Sequence, residues 1–312
     1  MSEEKLKIVF FGTADFAVPA LQVLQKRHIV QAVVTQPDAK QGRKMELTAS
    51  PVKIAAQELE IPILQPEKVK NNTEFINLLK ELAPDFIIVI AYGQIIPQSI
   101  LEIPKYMPVN LHGSLLPQFR GASPVQQSLL NGDTETGVTF IEMDEGIDTG
   151  NIILIRKMLI EKEDDLSTLS SKLAILGALI FPELLEDITL GLLPSVPQIE
   201  DRASYCQKIK KEDGKIDWQK ETSNEIINKL RAFTPWPGIF TFLDGKRVKI
   251  LQAEAIELIE KYKAGTIINT NGKLNVATID GALEIKTLQV EGKNKITGEE
   301  FLKGHQQNAQ FE

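Results

Sequence analysis

The chain of 312 residues has a single cysteine, Cys206, and only three histidines, His28, His112 and His305. A lone thiol excludes an internal disulfide, and so few soft ligands leave no zinc-type cluster, so no metal is expected. No apolar run reaches the roughly 20 residues that a membrane span needs. The acidic start, Met1-Ser2-Glu3-Glu4-Lys5, leads straight into a strand without a signal or transit peptide. We therefore expect a cytoplasmic protein with no membrane partner. The first strand is followed by one glycine, Gly12, where a dinucleotide fingerprint needs three at fixed spacing. That absence excludes the cofactor of a nucleotide-binding dehydrogenase, although the surrounding pattern suits its fold.

What is present is an ordinary globular composition, 25% charged and 43% hydrophobic, in a chain long enough for two domains. The net charge of −7 argues against a strong nucleic-acid binder, but it is uneven. Residues 201–312 carry 18 Lys+Arg against 16 Asp+Glu, a net of +2, which leaves 17 against 26, or −9, on residues 1–200. The C-terminal part can thus meet a phosphate backbone.

Strands and helices alternate through the first part of the chain. Residues 7–11, 29–34, 62–64 and 86–90 read as buried strands, and 16–25 and 75–82 as helices. A helix is expected from Ser123-Pro124 to Asn131-Gly132, and strands over 138–142 and 152–160, the second antiparallel. Leu166, Leu169, Leu173, Leu176 and Ile180 mark a core-facing helix behind Asp164-Asp165. The alternation implies an α/β, doubly wound, mostly parallel, Rossmann-like sheet over residues 1–190. An aperiodic linker with Pro194 and Pro197 covers 191–207. Over 208–312, Thr222 and Glu225 form a capping box. Short strands at 239–243, 246–251, 274–278 and 283–288 are broken by Asp244-Gly245, Asn271-Gly272 and Asp280-Gly281, dipeptides that favour tight hairpins. They imply a small OB-like β-barrel. Trp218 and Trp236 are read as core, and His28 and His305 as surface residues. Residues 36–50, with Lys40, Gly42, Arg43 and Lys44, form a long connection without periodicity. It is either a solvated insertion or a loop that closes on an anionic substrate beside the carboxyl edge of the sheet.

The chemistry concentrates between Val109 and Gly150. A short apolar strand ends at His112, and ligands of open parallel sheets bind outside the carboxyl ends of the strands. Asn110 and His112 are two apart, so on an extended segment both point to one face. An amide donor beside an imidazole suits a carbonyl oxygen that gains negative charge. Asp148, on a separate glycine-flanked loop, can orient His112 and stabilise its protonated form. This pattern points to acyl or formyl transfer.

The run Asn110-Leu111-His112-Gly113-Ser114-Leu115-Leu116-Pro117, together with Asp148-Thr149-Gly150, resembles the folate-dependent formyltransferases. Phe11-Gly12-Thr13, Thr35-Gln36-Pro37-Asp38, Ser50-Pro51-Val52-Lys53, Ile216-Asp217-Trp218 and Pro235-Trp236-Pro237-Gly238 narrow the likeness to the members that act on tRNA and extend it over nearly the whole chain. The basic run at 40–46 is thinner than in many of those members. The resemblance implies formyl transfer from 10-formyltetrahydrofolate to the α-amino group of methionine on initiator tRNA; a monomer is expected, although the sequence itself does not give the oligomeric state. The resemblance makes Asn110, His112 and Asp148 the catalytic set. It makes Ser114, Leu115, Leu116 and Pro117 part of the folate site, lined also by Tyr92, Gly93, Gln94, Ile95 and Ile96. Arg43, with Lys44, matches the loop near the acceptor end of the tRNA, and the second domain the part that grips the tRNA body. Within that domain Lys208, Lys210, Lys211, Lys246, Arg247 and Lys249 are the candidate phosphate contacts. The rival reading keeps the chemistry and changes the acceptor to a small amine, an amino sugar or a glycinamide ribonucleotide. A non-enzymatic RNA-binding module leaves the three polar residues without a task.

Overall fold

The computed structural model describes residues 5–41, 46–258, 260–304 and 309–312. β1 (Lys7–Gly12) is buried at every position after Lys7 and leads through one 3₁₀ turn into α1 (Val18–Arg27) and β2 (Ile29–Val34). The connection at 36–50 has structure of its own, because β3 (Ala39–Gln41) pairs antiparallel with β4 (Glu46–Thr48). α2 (Pro51–Glu58) starts where the Ser50 hydroxyl accepts from the Lys53 N–H and Pro51 supplies a preset φ. Then follow β5 (Ile63–Leu64), α3 (Thr73–Leu82), β6 (Phe86–Ile90), α4 (Gln98–Leu101), β7 (Met107–His112) and β8 (Arg120–Gly121). α5 (Pro124–Asn131), β9 (Glu135–Glu142), β10 (Asn151–Leu159) and α6 (Leu166–Thr189) complete this part.

The main sheet runs β10-β9-β7-β6-β1-β2-β5. From β7 to β5 all neighbours are parallel, and β9 and β10 add an antiparallel edge. The direction of winding reverses at β1, so the carboxyl ends of β6 and β7 open side by side on one rim. β6 is apolar at all five positions and fully buried, the signature of a parallel strand covered on both faces. One side of the sheet is sealed by Phe11, Phe75, Leu79, Tyr92 and Ile100, with Phe11 edge-on to Tyr92 at 5.2 Å.

α6 is 24 residues long, with a mean hydropathy of 1.5 over its most apolar stretch, enough by length and composition to cross a membrane. This corrects the expectation that no apolar stretch has that length. In the fold it is a core helix. Leu173, Ala178, Phe181 and Leu185 are buried, and Phe181 meets Phe140 edge-on at 5.0 Å. A Cβ on Gly177 would lie 2.5 Å from Leu111, so glycine is what lets α6 lie close against β7.

The chain divides into two compact units, one of residues 1–124, 135–159 and 170–206, the other of 125–134, 160–169 and 207–312. The two-residue strand β11 (Tyr205–Cys206) closes the first unit and pairs parallel with β8. α7 (Ser223–Phe233) opens on the expected Thr222/Glu225 capping box. β12 (Ile239–Leu243), β13 (Lys246–Ile256), β14 (Ile267–Thr270), β15 (Lys273–Ala277), β16 (Ala282–Val290) and β17 (Lys295–Thr297) form one antiparallel sheet, followed by α8 (Gly298–Leu302). The three dipeptides sit at its hairpins, and Asp244-Gly245 and Asn271-Gly272 have positive φ at both positions, as such turns require. Trp218 is core, its indole N–H donating to the Thr241 hydroxyl at 2.8 Å. Trp236 is 56% exposed, so its reading as core is corrected. His28 is corrected in the opposite sense, since it is buried where α1 hands over to β2; His305 lies outside the described residues.

Candidate active site

β7 presents Asn110 and His112 from the same face, while Leu111 points the other way onto α6. Both polar side chains are buried. The antiparallel register sets Asn110 opposite Ile141 and His112 opposite Thr139 on β9. The loop after β9 then brings back Asp148. Its carboxylate accepts from the Gly121 N–H at 2.8 Å and from the Asn110 amide at 3.4 Å, and lies 3.5 Å from His112 Nδ1. Asn110, His112 and Gly121, which lie 27 to 38 positions before Asp148, thus share its carboxylate as their hub.

The loop is built tightly. The Asp144 carboxylate accepts from the Gly146 N–H and the Thr149 hydroxyl. A Cβ on Gly150 would fall 1.9 Å from the Glu142 carbonyl oxygen, so only glycine allows that return. Asp148 itself has φ 55°, a left-handed conformation that a non-glycine residue holds only where its surroundings fix it. The second ring nitrogen of His112, Nε2, lies 2.9 Å from the Phe119 carbonyl. Each nitrogen therefore faces an acceptor, and a neutral ring can donate to only one of them. Next to Phe119, the fully buried Arg120 guanidinium donates to Glu200, Gln198 and Tyr205. Its hydrogen bonds to the Glu200 carboxylate push the arginine further up and the carboxyl down.

The candidate folate residues divide. Ser114 and Leu116 are buried, and the Thr139 hydroxyl takes up both the Ser114 carbonyl and the Leu116 N–H. Those two backbone groups are therefore committed inside the protein, and Leu115 and Pro117 are the more accessible members of the run. At the end of β6, Tyr92 and Ile96 belong to the core, while Gly93 and Ile95 are exposed and Gln94 bonds to Gln36 and the Glu67 carbonyl. Burial pushes the Tyr92 hydroxyl up to about 12. The motifs on either side of 36–50 meet: Thr35 and Ser50 share a 2.7 Å hydroxyl bond, and Lys53 grips Asp38 at 2.7 Å, holding that carboxyl below its ordinary range. Arg43 and Lys44 lie outside the described residues. Lys208, Lys210, Lys211 and Lys246 are exposed, and Arg247 and Lys249 half-buried. The Arg247 guanidinium lies over the Phe240 ring at 3.9 Å. The residues that hold the catalytic candidates in place, Gly121, Arg120 and Gln198, carry no signal in the sequence pattern; Gln198 falls in the stretch read as a linker.

The sequence pattern of formyl transferases matches residues 6–185, and that of the formyl transferase C-terminal domain matches residues 208–306. Fold and site thus define a two-part formyl transferase. Methionyl-tRNA formyltransferase of Caldanaerobacter subterraneus subsp. tengcongensis is 45% identical over 301 residues, 96% of this chain and 97% of that protein. Among solved structures, WlaRD, a sugar 3N-formyl transferase crystallised with dTDP and 5-N-formyl-THF, has a TM-score of 0.66 and 25% identity, covering 93% of this chain and 100% of its own. Phosphoribosylglycinamide formyltransferase from Bacillus halodurans, with a TM-score of 0.50 and 25% identity, covers only 58% of this chain. The chain belongs to the formyl transferase family and, within it, to the methionyl-tRNA formyltransferases, and it is an enzyme.

Proposed function

We propose that the enzyme transfers the formyl group of 10-formyltetrahydrofolate to the α-amino group of methionine esterified to initiator tRNA, in the cytoplasm. The observation that carries this reading is the grouping of Asn110, His112 and Asp148 around one carboxylate at the carboxyl rim of the sheet. The methionine amine attacks the formyl carbon as a free base, whose reference pKa of about 8 makes that form accessible at neutral pH. The carbonyl oxygen becomes an oxyanion as the new C–N bond forms. Asn110 has a second amide N–H to give it, and one such well-aimed donor contributes roughly 3–4 kcal/mol. His112, carrying a proton on each nitrogen, adds positive charge beside it. Asp148 stabilises that imidazolium and accepts, directly or through water, the proton the amine sheds; the oxyanion then collapses, the bond from the formyl carbon to folate N10 breaks, and that proton passes to N10 as tetrahydrofolate leaves.

The end of β6 suits the folate. Ala91 and Gly93 have positive φ, which turns the backbone outward there, and Ile95 offers an apolar surface that is 68% exposed. Flat heterocycles are held by that combination of backbone groups and apolar walls. The crystallised sugar enzyme, with its formyl-THF, supports the same donor class. The much higher identity to tRNA-acting relatives, and the short match to the glycinamide enzyme, favour methionyl-tRNA over a small amine. Arg43 and Lys44 then approach the acceptor end, and Lys208, Lys210, Lys211, Lys246, Arg247 and Lys249 meet tRNA phosphates. The test is formylation of radiolabelled methionyl-tRNA by the purified protein with 10-formyltetrahydrofolate. Formylmethionine is expected on hydrolysis of the product; formylation of amino sugars or glycinamide ribonucleotide with none on methionyl-tRNA would replace this reading.

A further inference from the structure

The segment between α6 and the end of the first unit is bonded to the site rather than free. Val196 exchanges both backbone hydrogen bonds with Ile152, and the Ser204 hydroxyl accepts from the Phe119 N–H at 2.9 Å while its carbonyl accepts from the Arg120 N–H. At its centre Gln198 uses its whole amide. The oxygen accepts from Arg120 Nε at 3.0 Å and Nη2 at 2.9 Å. The nitrogen donates to the carbonyls of Asp148 and Gly150, both at 2.8 Å. No other side-chain type of this length offers an acceptor to a guanidinium and two donors to a loop at once.

We infer that Gln198 is a positioning residue that sets the pose of Asp148, an inference that rests on the role of Asp148 proposed above. The two-residue strand β8 grips Asp148 from two sides. Gly121 holds its carboxylate through a backbone N–H, and Arg120 holds its carbonyl through Gln198. The buried Arg120 is itself fixed by Glu200 and Tyr205, so the amide of Gln198 is anchored before it meets the loop. A left-handed aspartate needs such a grip, because relaxing its φ would swing the carboxylate away from His112 and Asn110.

The substitution Gln198→Glu separates the two halves of the contact: it keeps an acceptor for Arg120 and removes both donors to the loop. Gln198→Met removes everything at similar size, and Asp148→Asn supplies the partner for a double-mutant cycle. Displacing a reacting group by about an ångström lowers turnover by about 100-fold, and that loss of kcat is expected for Gln198→Glu. KM for methionyl-tRNA and folate should change by less than about threefold. In the Asp148→Asn background Gln198→Glu should add less than about threefold, since residues that act through one another are not additive. Hydrogen exchange at the Gly121 amide, which donates to Asp148, should quicken in Gln198→Glu whatever the acceptor substrate is. Unchanged Gly121 exchange, a kcat within about threefold of the wild type, or multiplicative losses in the double variant would overturn the inference. Wild-type protein inert on methionyl-tRNA, with Gly121 exchange still responding to Gln198→Glu, would instead remove the functional reading and leave the positioning role standing.

Discussion

Asp148→Asn isolates what the charge of the hub contributes. Asparagine has the same shape, tolerates the left-handed backbone that Asp148 adopts at φ 55°, and can still accept the Gly121 N–H. What disappears is the negative charge 3.5 Å from His112 Nδ1 and, with it, the acceptor for the proton that the amine sheds. A full pair at that separation, with an effective dielectric of about 20, is worth about 5 kcal/mol. The Asp148 side chain is 16% exposed, and screening by solvent brings the figure to roughly 2–3 kcal/mol. At about 1.4 kcal/mol for each tenfold in rate, kcat should fall about 100-fold. Single-turnover formylation of methionyl-tRNA, with a parallel titration of a folate analogue, separates chemistry from binding. The expected result is a slow chemical step with folate affinity intact. A chemical step within about threefold of the wild type would show that the imidazolium does not depend on this carboxylate, and the mechanism would fall.

Three further outcomes follow from the same geometry. Gly150→Ala drives a methyl group into the Glu142 carbonyl, so it should cost at least about 1–3 kcal/mol and lower both the thermal midpoint and turnover; an unchanged midpoint would contradict the close return of the loop. Tyr92 stays protonated to about 12 when folded against 10.0 when free, so the unfolded chain ionises first and stability drains away as pH rises from 10 toward 12. Tyr92→Phe also removes a buried hydroxyl that has no partner among the described residues, and should leave the midpoint at pH 7 unchanged or higher while flattening that alkaline loss, as urea titrations at both pH values will show. Arg43→Ala should raise KM for methionyl-tRNA and leave folate affinity unchanged; identical kinetics on charged tRNA would return 36–50 to the status of a solvated insertion.

Where chemistry is local, sequence was enough. The apolar run at Phe86–Ile90 could only be a covered strand, Asn271-Gly272 and Asp244-Gly245 fixed their hairpins through positive φ, and Thr222 with Glu225 capped α7 as spaced. Asn110 and His112 were legible because period two places them on one face. Non-local contacts were not. Trp236 and His28 have the composition of core and surface, but tertiary context exchanges their environments. The pairing of β3 with β4 needs a register that two three-residue strands do not announce. Gln198 looked like linker because its partners, Arg120 and Asp148, lie 78 and 50 residues away. The length of α6 was hidden by Lys172 and Glu183, which interrupt its apolar residues, and by Pro182 inside the helix.

The most direct measurement is the rate of formyl transfer to methionyl initiator tRNA compared with free methionine, an amino sugar nucleotide and glycinamide ribonucleotide, in wild-type and His112→Ala protein. Efficient formylation of the charged tRNA alone, reduced by orders of magnitude in His112→Ala with folate still bound, is the predicted result. Transfer to a small amine in preference to tRNA, or undiminished transfer without the imidazole, would contradict it.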